Sequence, residues 1–223
     1  MDLRSRFEKL YCGVIYDALT FDIKYPKPFV VDKAIIPQWD RENSQVLFGH
    51  AFTCKGRRVL HPEDIDDKIR IKMFRDFTDG CIQVIDTDGD NTVAHFGDIS
   101  AKIAKEFGCR GAVIDGYTRD LKLIARDQFP IFCRGTFPVD AYRKWQIVQF
   151  QIDIILAGVD GQVTVLPGDY VFGDPDGVLV IPRDLAEDVC RLAEERLARE
   201  NMVRDRLKGA TDIQQLYDEI GRW

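Results

Sequence analysis

Two short polar segments of the sequence carry the side chains with the clearest potential for chemistry. The first, His95–Ser100, reads His-Phe-Gly-Asp-Ile-Ser, and the second, Asp115–Asp120, reads Asp-Gly-Tyr-Thr-Arg-Asp. If a helix begins near Gly97, its first free amides can bind a carboxylate. Arg119 can bind an oxyanion, and Asp120 can help to hold a divalent cation. Together these groups suit a reaction that forms an enolate beside a carboxylate.

Each of these residues also has a structural interpretation. Aspartates in turns commonly accept hydrogen bonds from turn amides, and an Arg-Asp pair can be a surface ion pair. His95 fits a capped turn residue, since no other histidine pairs with it for metal ligation. The acidic string at 86–90 does not form a calcium loop, because Asn91 and Gly97 stand where that loop needs glycine and glutamate. Cys109 and Cys133, flanked by apolar runs, fit core residues better than nucleophiles.

A repeated pattern of strand, turn and helix would position the two polar segments. Short apolar runs predict three strands, at 82–85, 111–114 and 131–133. The first two runs are each followed by a Gly- and Asp-containing turn, at 86–91 and 115–118, and then by helical spacing. Apolar runs without alternation are typical of strands covered on both faces. Because ligands bind beyond the carboxyl ends of parallel strands, adjacent turns would form one crevice. The pattern predicts an α/β fold.

The remaining predicted elements flank this repeat. Helical spacing predicts an N-terminal helix at 2–20, a helix starting at 62–64 and continuing to Phe77, and a long amphipathic helix at about 184–207. Further strands are predicted at 45–59, 148–159, 162–166, 169–172 and 178–181. Aspartates in the turns of this second half, Asp169, Asp174 and Asp176, have a structural interpretation. We expect one domain over residues 1–223.

Composition limits the classes of partner. The formal net charge of −6 repels polyanions at long range, so nucleic acid is not an expected partner, whereas a small anion can still enter a locally positive pocket. No apolar stretch approaches the ~20 residues that a membrane-spanning helix needs. The six cysteines are scattered without a CxxC pair or zinc-like spacing. We therefore expect a cytoplasmic protein without a membrane partner.

Four segments make the sequence resemble a known family. They are GHAFTCKG at 49–56, HFGDIS at 95–100, GAVIDGYTRD at 111–120 and PGDYVFGDPDGVLVIP at 167–182. They are similar to the 4-hydroxy-4-methyl-2-oxoglutarate aldolase family, which shares its fold with RraA, the regulator of ribonuclease E activity. The resemblance spans Tyr16 to the C-terminal helix, and DGxxRD is its most specific string. It implies a single swivelling α/β/β domain with mixed sheets and flanking helices.

The resemblance also implies a role for each residue of the two polar segments. Asp120 would help to hold Mg²⁺ or Mn²⁺, partly through water, and Arg119 would contact the pyruvyl oxygen. The amides of Gly97, Asp98, Ile99 and Ser100 would bind the pyruvyl carboxylate. Asp98 would also orient the water that takes the proton of the substrate's 4-hydroxyl group. The expected reaction releases pyruvate and an oxo compound from a 4-hydroxy-2-oxo acid, and the same site would decarboxylate oxaloacetate.

Assembly and the choice between enzyme and regulator also follow from the resemblance. It implies a homotrimer or homohexamer, in which the N-terminal helix and the helix at 184–207 pack between subunits. A neighbouring subunit would supply an acid, for which Glu194, Glu195 and Glu200 are candidates that also fit solvated helix charges. The alternative is a non-catalytic regulator that binds a protein such as ribonuclease E. Regulator-type relatives commonly lack the acid at the end of DGxxRD, so Asp120 favours an enzyme. A methyltransferase is disfavoured, because no Gly-rich nucleotide loop follows a strand.

Overall fold

Two units of structure form from different parts of the chain. This computed structural model describes residues 2–38, 46–61, 63 and 65–221. One unit combines the chain up to Tyr25 with the chain from Leu185 onward, and the other is Pro26–Asp184. The expectation of one domain over residues 1–223 stays a prediction.

The strands of the second unit form an α/β fold with a mixed sheet. Among the described residues the strands are β1 (Ile36–Pro37), β2 (Leu47–Arg58), β3 (Ile82–Asp86), β4 (Gly111–Thr118), β5 (Ile131–Thr136), β6 (Trp145–Phe150), β7 (Ile154–Gly158), β8 (Gly161–Val165), β9 (Tyr170–Asp174) and β10 (Gly177–Ile181). The main sheet has the order β1-β5-β4-β3-β2-β9-β10, β6 also pairs with β2, and β7 pairs with β8 in a separate hairpin.

The predicted repeat produces the parallel centre of the sheet. Strands β2, β3, β4 and β5 are parallel neighbours, with Ile82 opposite both Ala51 and Gly111. Every residue of β3 is buried, as expected for a strand covered on both faces. Strands β1, β6, β9 and β10 pair antiparallel, which makes the sheet mixed. The carboxyl ends of β3 and β4 therefore lie side by side, and the chain segments that follow them can form one site.

Helices cover the sheet of the second unit. They are α3 (Asp67–Arg75), α4 (Asp98–Glu106) and α5 (Leu121–Arg126). Two apolar clusters form its core: one contains Phe52, Met73 and Phe96, and the other contains Val84 and residues of the β7–β8 hairpin. The predicted start of α4 near Gly97 is confirmed, because Gly97 caps the helix.

The first unit is helical. It contains α1 (Leu3–Phe7), α2 (Cys12–Asp17) with a following π-helical turn, α6 (Ala186–Leu207) and α7 (Ile213–Ile220). The predicted single helix at 2–20 is interrupted between Phe7 and Cys12, and the long helix predicted at 184–207 is present as α6. No helix in the described ranges is both long and apolar enough to cross a bilayer.

Two boundaries, one within the repeat and one after it, differ from the prediction. The turn predicted at 115–118 is strand, because β4 continues to Thr118 and pairs with β5 across an irregularity between Ile114 and Tyr117. The strand predicted at 148–159 is two strands, since Gln151 has a φ of 54° and its backbone amide bonds the carbonyl of Thr53. In both places long-range pairing decides the structure.

The helix predicted to start at 62–64 begins later. Pro62 and Asp64 lie outside the described residues. The described helix α3 starts at Asp67, where the Asp66 side chain accepts a hydrogen bond from the backbone amide of Lys68 and so caps it. Asp66, which lies after the predicted start at 62–64, is therefore the residue that caps α3.

Candidate functional site

A pocket of about 340 Å³ collects the two predicted polar segments. Its lining includes all of the predicted site residues, namely Gly97, Asp98, Ile99, Ser100, Arg119 and Asp120. The first four begin α4, and the last two connect β4 to α5. The structure thus brings together residues about twenty positions apart in the sequence, although their chemical roles stay predictions.

Two backbone hydrogen bonds and one from a side-chain hydroxyl to a backbone carbonyl fasten the two segments to each other. The amide of Arg119 donates to the carbonyl of Phe96 over 2.9 Å, and the Thr118 hydroxyl donates to the same carbonyl over 3.0 Å. One step back, the amide of His95 donates to the carbonyl of Tyr117 over 2.8 Å. These bonds fix the start of α4 against the end of β4. The pocket wall is therefore held by main-chain contacts.

The start of α4 offers free amides to the pocket. Gly97 caps the helix with extended backbone (φ −143°, ψ −179°) and no side chain caps the end. The first amides of an α-helix have no intrahelical partner, and the helix dipole favours an anion there. Asp98 and Ser100 are half-buried, whereas Ile99 is 63% exposed. This end of α4 can therefore accept a small carboxylate.

Arg119 lies between two carboxylates at this pocket. Its Nε atom is 3.3 Å from Oδ2 of Asp120, and its Nη1 atom is 3.3 Å from Oδ2 of Asp140. The side chains of Arg119 and Asp120 are about one third exposed, so both reach solvent. Asp120 has a left-handed backbone (φ 61°, ψ 26°), a conformation that is uncommon for residues other than glycine. Such outliers occur where the surrounding structure imposes them, often at functional sites.

Gly97 is packed directly against the arginine–aspartate pair. A Cβ atom at this position would lie 2.9 Å from Oδ2 of Asp120 and 3.4 Å from Nε of Arg119. The absence of a side chain at Gly97 therefore lets the Asp120 carboxylate approach the start of α4.

His95 supports this site from the core. Its side chain is fully buried, Nδ1 accepts a hydrogen bond from the amide of Tyr117, and Nε2 lies 3.1 Å from the Asp90 carboxylate. Because Nδ1 is an acceptor, Nε2 carries the proton and donates to Asp90. Burial lowers the pKa of His95, and Asp90 opposes that effect. This geometry agrees with a structural interpretation of His95.

The glycine of the DGxxRD string gives room to that histidine. A Cβ on Gly116 would lie 2.5 Å from Nδ1 of His95. The Asp115 carboxylate accepts hydrogen bonds from Nε of Arg134 (2.6 Å) and from the amide of Ala157 (3.1 Å). Both residues thus shape β4, and Arg119 and Asp120 are the members of the string that line the pocket.

The remaining acids and cysteines that the sequence singled out have structural contacts. Asp86 and Asp88 both pair with Lys55, and Asp169 accepts from the amides of Leu166 and Arg183. All six cysteines are free and buried. Burial raises the pKa of Cys133 to about 12, which makes it a poor nucleophile.

Several pocket residues were missed at the level of sequence. They include Arg70 of α3, Gln83 of β3, Asp140, Tyr142 and Trp145. Asp140 follows β5 and lies far from Arg119 in the sequence, so no spacing signals their pairing. Gln83 lies within an apolar strand, where its polarity was the one available signal.

The donor set fits a hydrated divalent cation. Within the described ranges, no three His, Cys, Asp or Glu side chains form a cluster that could hold a metal ion. Mg²⁺ commonly keeps several waters and uses one or two carboxylates together with substrate oxygens. Asp120, partly exposed beside the start of α4, offers oxygen ligands of that kind. A closed, all-protein metal centre is not formed by these residues.

Comparisons with known proteins agree with this architecture. The family described as RraA-like, Aldolase/RraA, matches residues 14–180. A protein of Halalkalibacterium halodurans with the name "Putative 4-hydroxy-4-methyl-2-oxoglutarate aldolase" is 36% identical over 157 residues, which cover 70% of this chain and 69% of that protein.

Two solved structures are similar in fold. One, described as a novel cellulase from microbes associated with the gut ecosystem, is 28% identical with a TM-score of 0.81 and covers 90% of this chain and 86% of that one. The other, RraAS2 of Streptomyces coelicolor, described as an unusual member of the RNase ES inhibitor RraA family, is 20% identical with a TM-score of 0.73, covering 91% and 95%. The family match and the sequence relative name no activity on polysaccharides.

Proposed function

The chain belongs to the RraA-like (Aldolase/RraA) family, and from that premise we propose that it is a divalent-metal-dependent carbon–carbon lyase. Its substrates are 4-hydroxy-2-oxo acids, such as 4-hydroxy-4-methyl-2-oxoglutarate, which it cleaves to pyruvate and an oxo compound. It also decarboxylates oxaloacetate. A relative named for this aldolase activity, 36% identical, supports the proposal.

One observation carries the proposal: the start of α4, which no side chain caps, and the Arg119–Asp120 pair line the same pocket. A pyruvyl group has a carboxylate next to a carbonyl oxygen. The amides of residues 97–100 bind the carboxylate, and the guanidinium of Arg119 binds the adjacent carbonyl oxygen. The two ends of the pyruvyl group thus meet two different positive groups of the protein.

The bond changes follow from this binding mode. Asp98 orients a water that removes the proton from the 4-hydroxyl group, a carbonyl forms at C4, and the C3–C4 bond breaks. Its electron pair moves toward C2 and places negative charge on the oxygen that Arg119 contacts. Protonation at C3 then gives pyruvate. With oxaloacetate, the C3–C4 bond breaks and the C4 carboxylate leaves as carbon dioxide, so the same charge develops on the same oxygen.

Asp120, with water, holds Mg²⁺ or Mn²⁺ in this proposal. The ion, when bound, supplies Lewis-acid stabilisation of the developing negative charge. Gly97 leaves room for the Asp120 carboxylate beside the start of α4, and Arg119 keeps that carboxylate oriented at 3.3 Å.

A second subunit completes the site in a homotrimer or homohexamer. Of the three candidate acids on α6, Glu194 binds Arg6 of its own chain through both carboxylate oxygens, and Glu200 bonds Tyr11 and Arg204. Glu195 makes an exposed pair with Arg191 one turn away, which contributes only a few tenths of a kcal/mol. Glu195 is therefore the carboxylate that is most easily released to a neighbour.

The test is the metal-dependent release of pyruvate by wild-type protein and by Asp120→Asn. Asparagine keeps the size of the side chain and tolerates the left-handed backbone, but it removes the charge. Rates with oxaloacetate and with 4-hydroxy-4-methyl-2-oxoglutarate should fall on the order of 100-fold or more in the variant. Adding Mg²⁺ or Mn²⁺ should activate the wild type and have little effect on the variant.

Asp88→Asn is the matched control, because Asp88 has the same backbone conformation (φ 61°) and does not line the pocket. Its rates should equal those of the wild type. If the wild type releases no pyruvate with any divalent ion, the enzyme proposal is wrong, and the alternative of a regulator that binds a protein partner is favoured.

A further inference from the structure

The pocket has an apolar side with one buried amide. Met73 and Phe74 of α3, Ile85 of β3 and Ile147 of β6 line it, and each is less than 10% exposed. Gln83, two residues before Ile85 on the same strand, is 1% exposed and also lines the pocket. This side is built from elements other than α4 and the β4–α5 connection, which supply the polar residues.

The Gln83 amide is only partly satisfied by the protein. Its Nε2 atom lies 3.4 Å from the sulfur of Met73 and 3.7 Å from that of Cys54, which are weak acceptors. In the part of the chain that the structure describes, its Oε1 atom is buried without a hydrogen-bond partner. A buried oxygen atom without a hydrogen-bond partner destabilises the folded state. It is therefore expected where a bound ligand can supply the missing donor.

The unpaired amide oxygen of Gln83 favours a ligand group that donates a hydrogen bond. It cannot pair with a carboxylate, and burying a carboxylate among four apolar side chains is unfavourable. The other two arginines in the described lining, Arg70 and Arg143, are exposed to solvent. An uncharged chain that carries a hydroxyl group satisfies both the apolar walls and the amide oxygen.

We propose that Gln83 recognises the part of the substrate beyond the pyruvyl group by a hydrogen bond. The preferred substrates are then 4-hydroxy-2-oxo acids with an uncharged, hydroxyl-bearing distal chain. This inference rests on the proposed function for the placement of the pyruvyl end. It makes Gln83 a specificity-determining residue. Substrates with a second carboxylate in the distal chain, 4-hydroxy-4-methyl-2-oxoglutarate among them, are then cleaved but bind more weakly than substrates with a distal hydroxyl group.

Binding of ligands that cannot be cleaved tests the inference. The probes are 2-oxo acids of five to seven carbons without a 4-hydroxyl group, ending in a methyl, hydroxymethyl or carboxylate group, titrated calorimetrically with and without Mg²⁺. For the best chain length, wild-type protein should bind the hydroxymethyl ligand about tenfold or more tightly than the other two. In Gln83→Met, that preference should shrink to about twofold or less.

Gln146→Met is the matched control. Gln146 also lines the pocket, but its Oε1 atom accepts a hydrogen bond from the amide of Asp66, so it is already partnered. This variant should keep the preference of the wild type. Gln83→Met should unfold at the same or a higher temperature than the wild type, because it removes an unpaired buried polar atom.

Three results would overturn the inference. The first is that the wild type binds the methyl or carboxylate ligand as tightly as the hydroxymethyl ligand, or more tightly. The second is an undiminished hydroxyl preference in Gln83→Met. The third is a lower unfolding temperature of that variant, which would mean that the Gln83 amide stabilises the fold. The outcome is separate from that of the proposed function, because binding needs no turnover. Hydroxyl preference without pyruvate release from the 4-hydroxy counterparts would contradict the lyase alone.

Discussion

At the scale of single residues, Gly97 and Asp120 depend on each other. The backbone of Gly97 is extended, a conformation open to any residue, so its torsion angles do not demand glycine. Glycine is needed at this position because Oδ2 of Asp120 would lie 2.9 Å from a Cβ atom there. Asp120 in turn has a left-handed backbone that aims it at this position. The pair therefore combines a steric gap with an uncommon backbone conformation.

The substitution Gly97→Ala should uncouple stability from activity. The Asp120 side chain can rotate away, so the free energy of unfolding should fall by about 1 kcal/mol or less, the usual effect of alanine at an N-cap. Pyruvate release should fall by about tenfold to 100-fold, because the displaced carboxylate no longer holds its position. Chemical denaturation and the oxaloacetate assay measure the two effects.

The control for this substitution is Gly13→Ala in α2. A Cβ atom there would lie 3.1 Å from the edge of the Tyr11 ring, and Gly13 does not line the pocket. Its activity should match that of the wild type. Full activity of Gly97→Ala would show that the position of the Asp120 carboxylate does not matter.

At the scale of elements, the sequence predicted the strands and the helix start that depend on local residue patterns. The apolar runs of β3, β4 and β5 and the start of α4 at Gly97 were all readable from the sequence, and so was the proximity of the two polar segments. The extension of β4 through Asp115–Thr118 was not, because it depends on pairing with β5. For the same reason Asp140 carried no motif, because its partner Arg119 lies on a different element. Gln83 was marked only by its polarity within an apolar strand.

The β4 extension is held by a half-buried ionic contact, and Asp115→Asn tests its strength. Asp115 is within 2.6 Å of Nε of Arg134, which also pairs with Asp32, and the Asp115 side chain is 15% exposed. Removing the charge should lower the free energy of unfolding by about 1.5–3 kcal/mol, the range for hydrogen bonds to charged groups. Denaturant unfolding monitored by tryptophan fluorescence measures it.

The exposed pair of Asp88 with Lys55 provides the comparison. The Asp88 side chain is 60% exposed, so Asp88→Asn should change the stability by less than about 1 kcal/mol. Similar losses in the two variants would mean that the Asp115–Arg134 contact is no stronger than a surface pair.

At the scale of the whole molecule, the response to acid is set by a few buried groups. Exposed ion pairs such as those on α6 contribute little to the free energy of unfolding. His95 differs, since its side chain is fully buried and burial lowers its pKa despite the nearby carboxylates of Asp90 and Asp115. Burial also lowers the pKa of His50. Both histidines stay neutral in the folded chain at pH values where the unfolded chain binds protons.

The stability of the wild type should therefore decrease as the pH falls below about 6.5, the ordinary pKa of histidine. The unfolded state takes up protons first, so the stability is complete above this pH and is lost progressively toward the lower pKa of the folded state. Each histidine can contribute a slope of at most about 1.4 kcal/mol per pH unit.

His95→Gln, which can still donate to Asp90, should have a shallower slope between pH 8 and pH 5 and keep the part that His50 contributes. The exposed His61→Gln variant should follow the wild-type curve, and an equally steep curve for His95→Gln would contradict the assignment of the acid response to the buried ring.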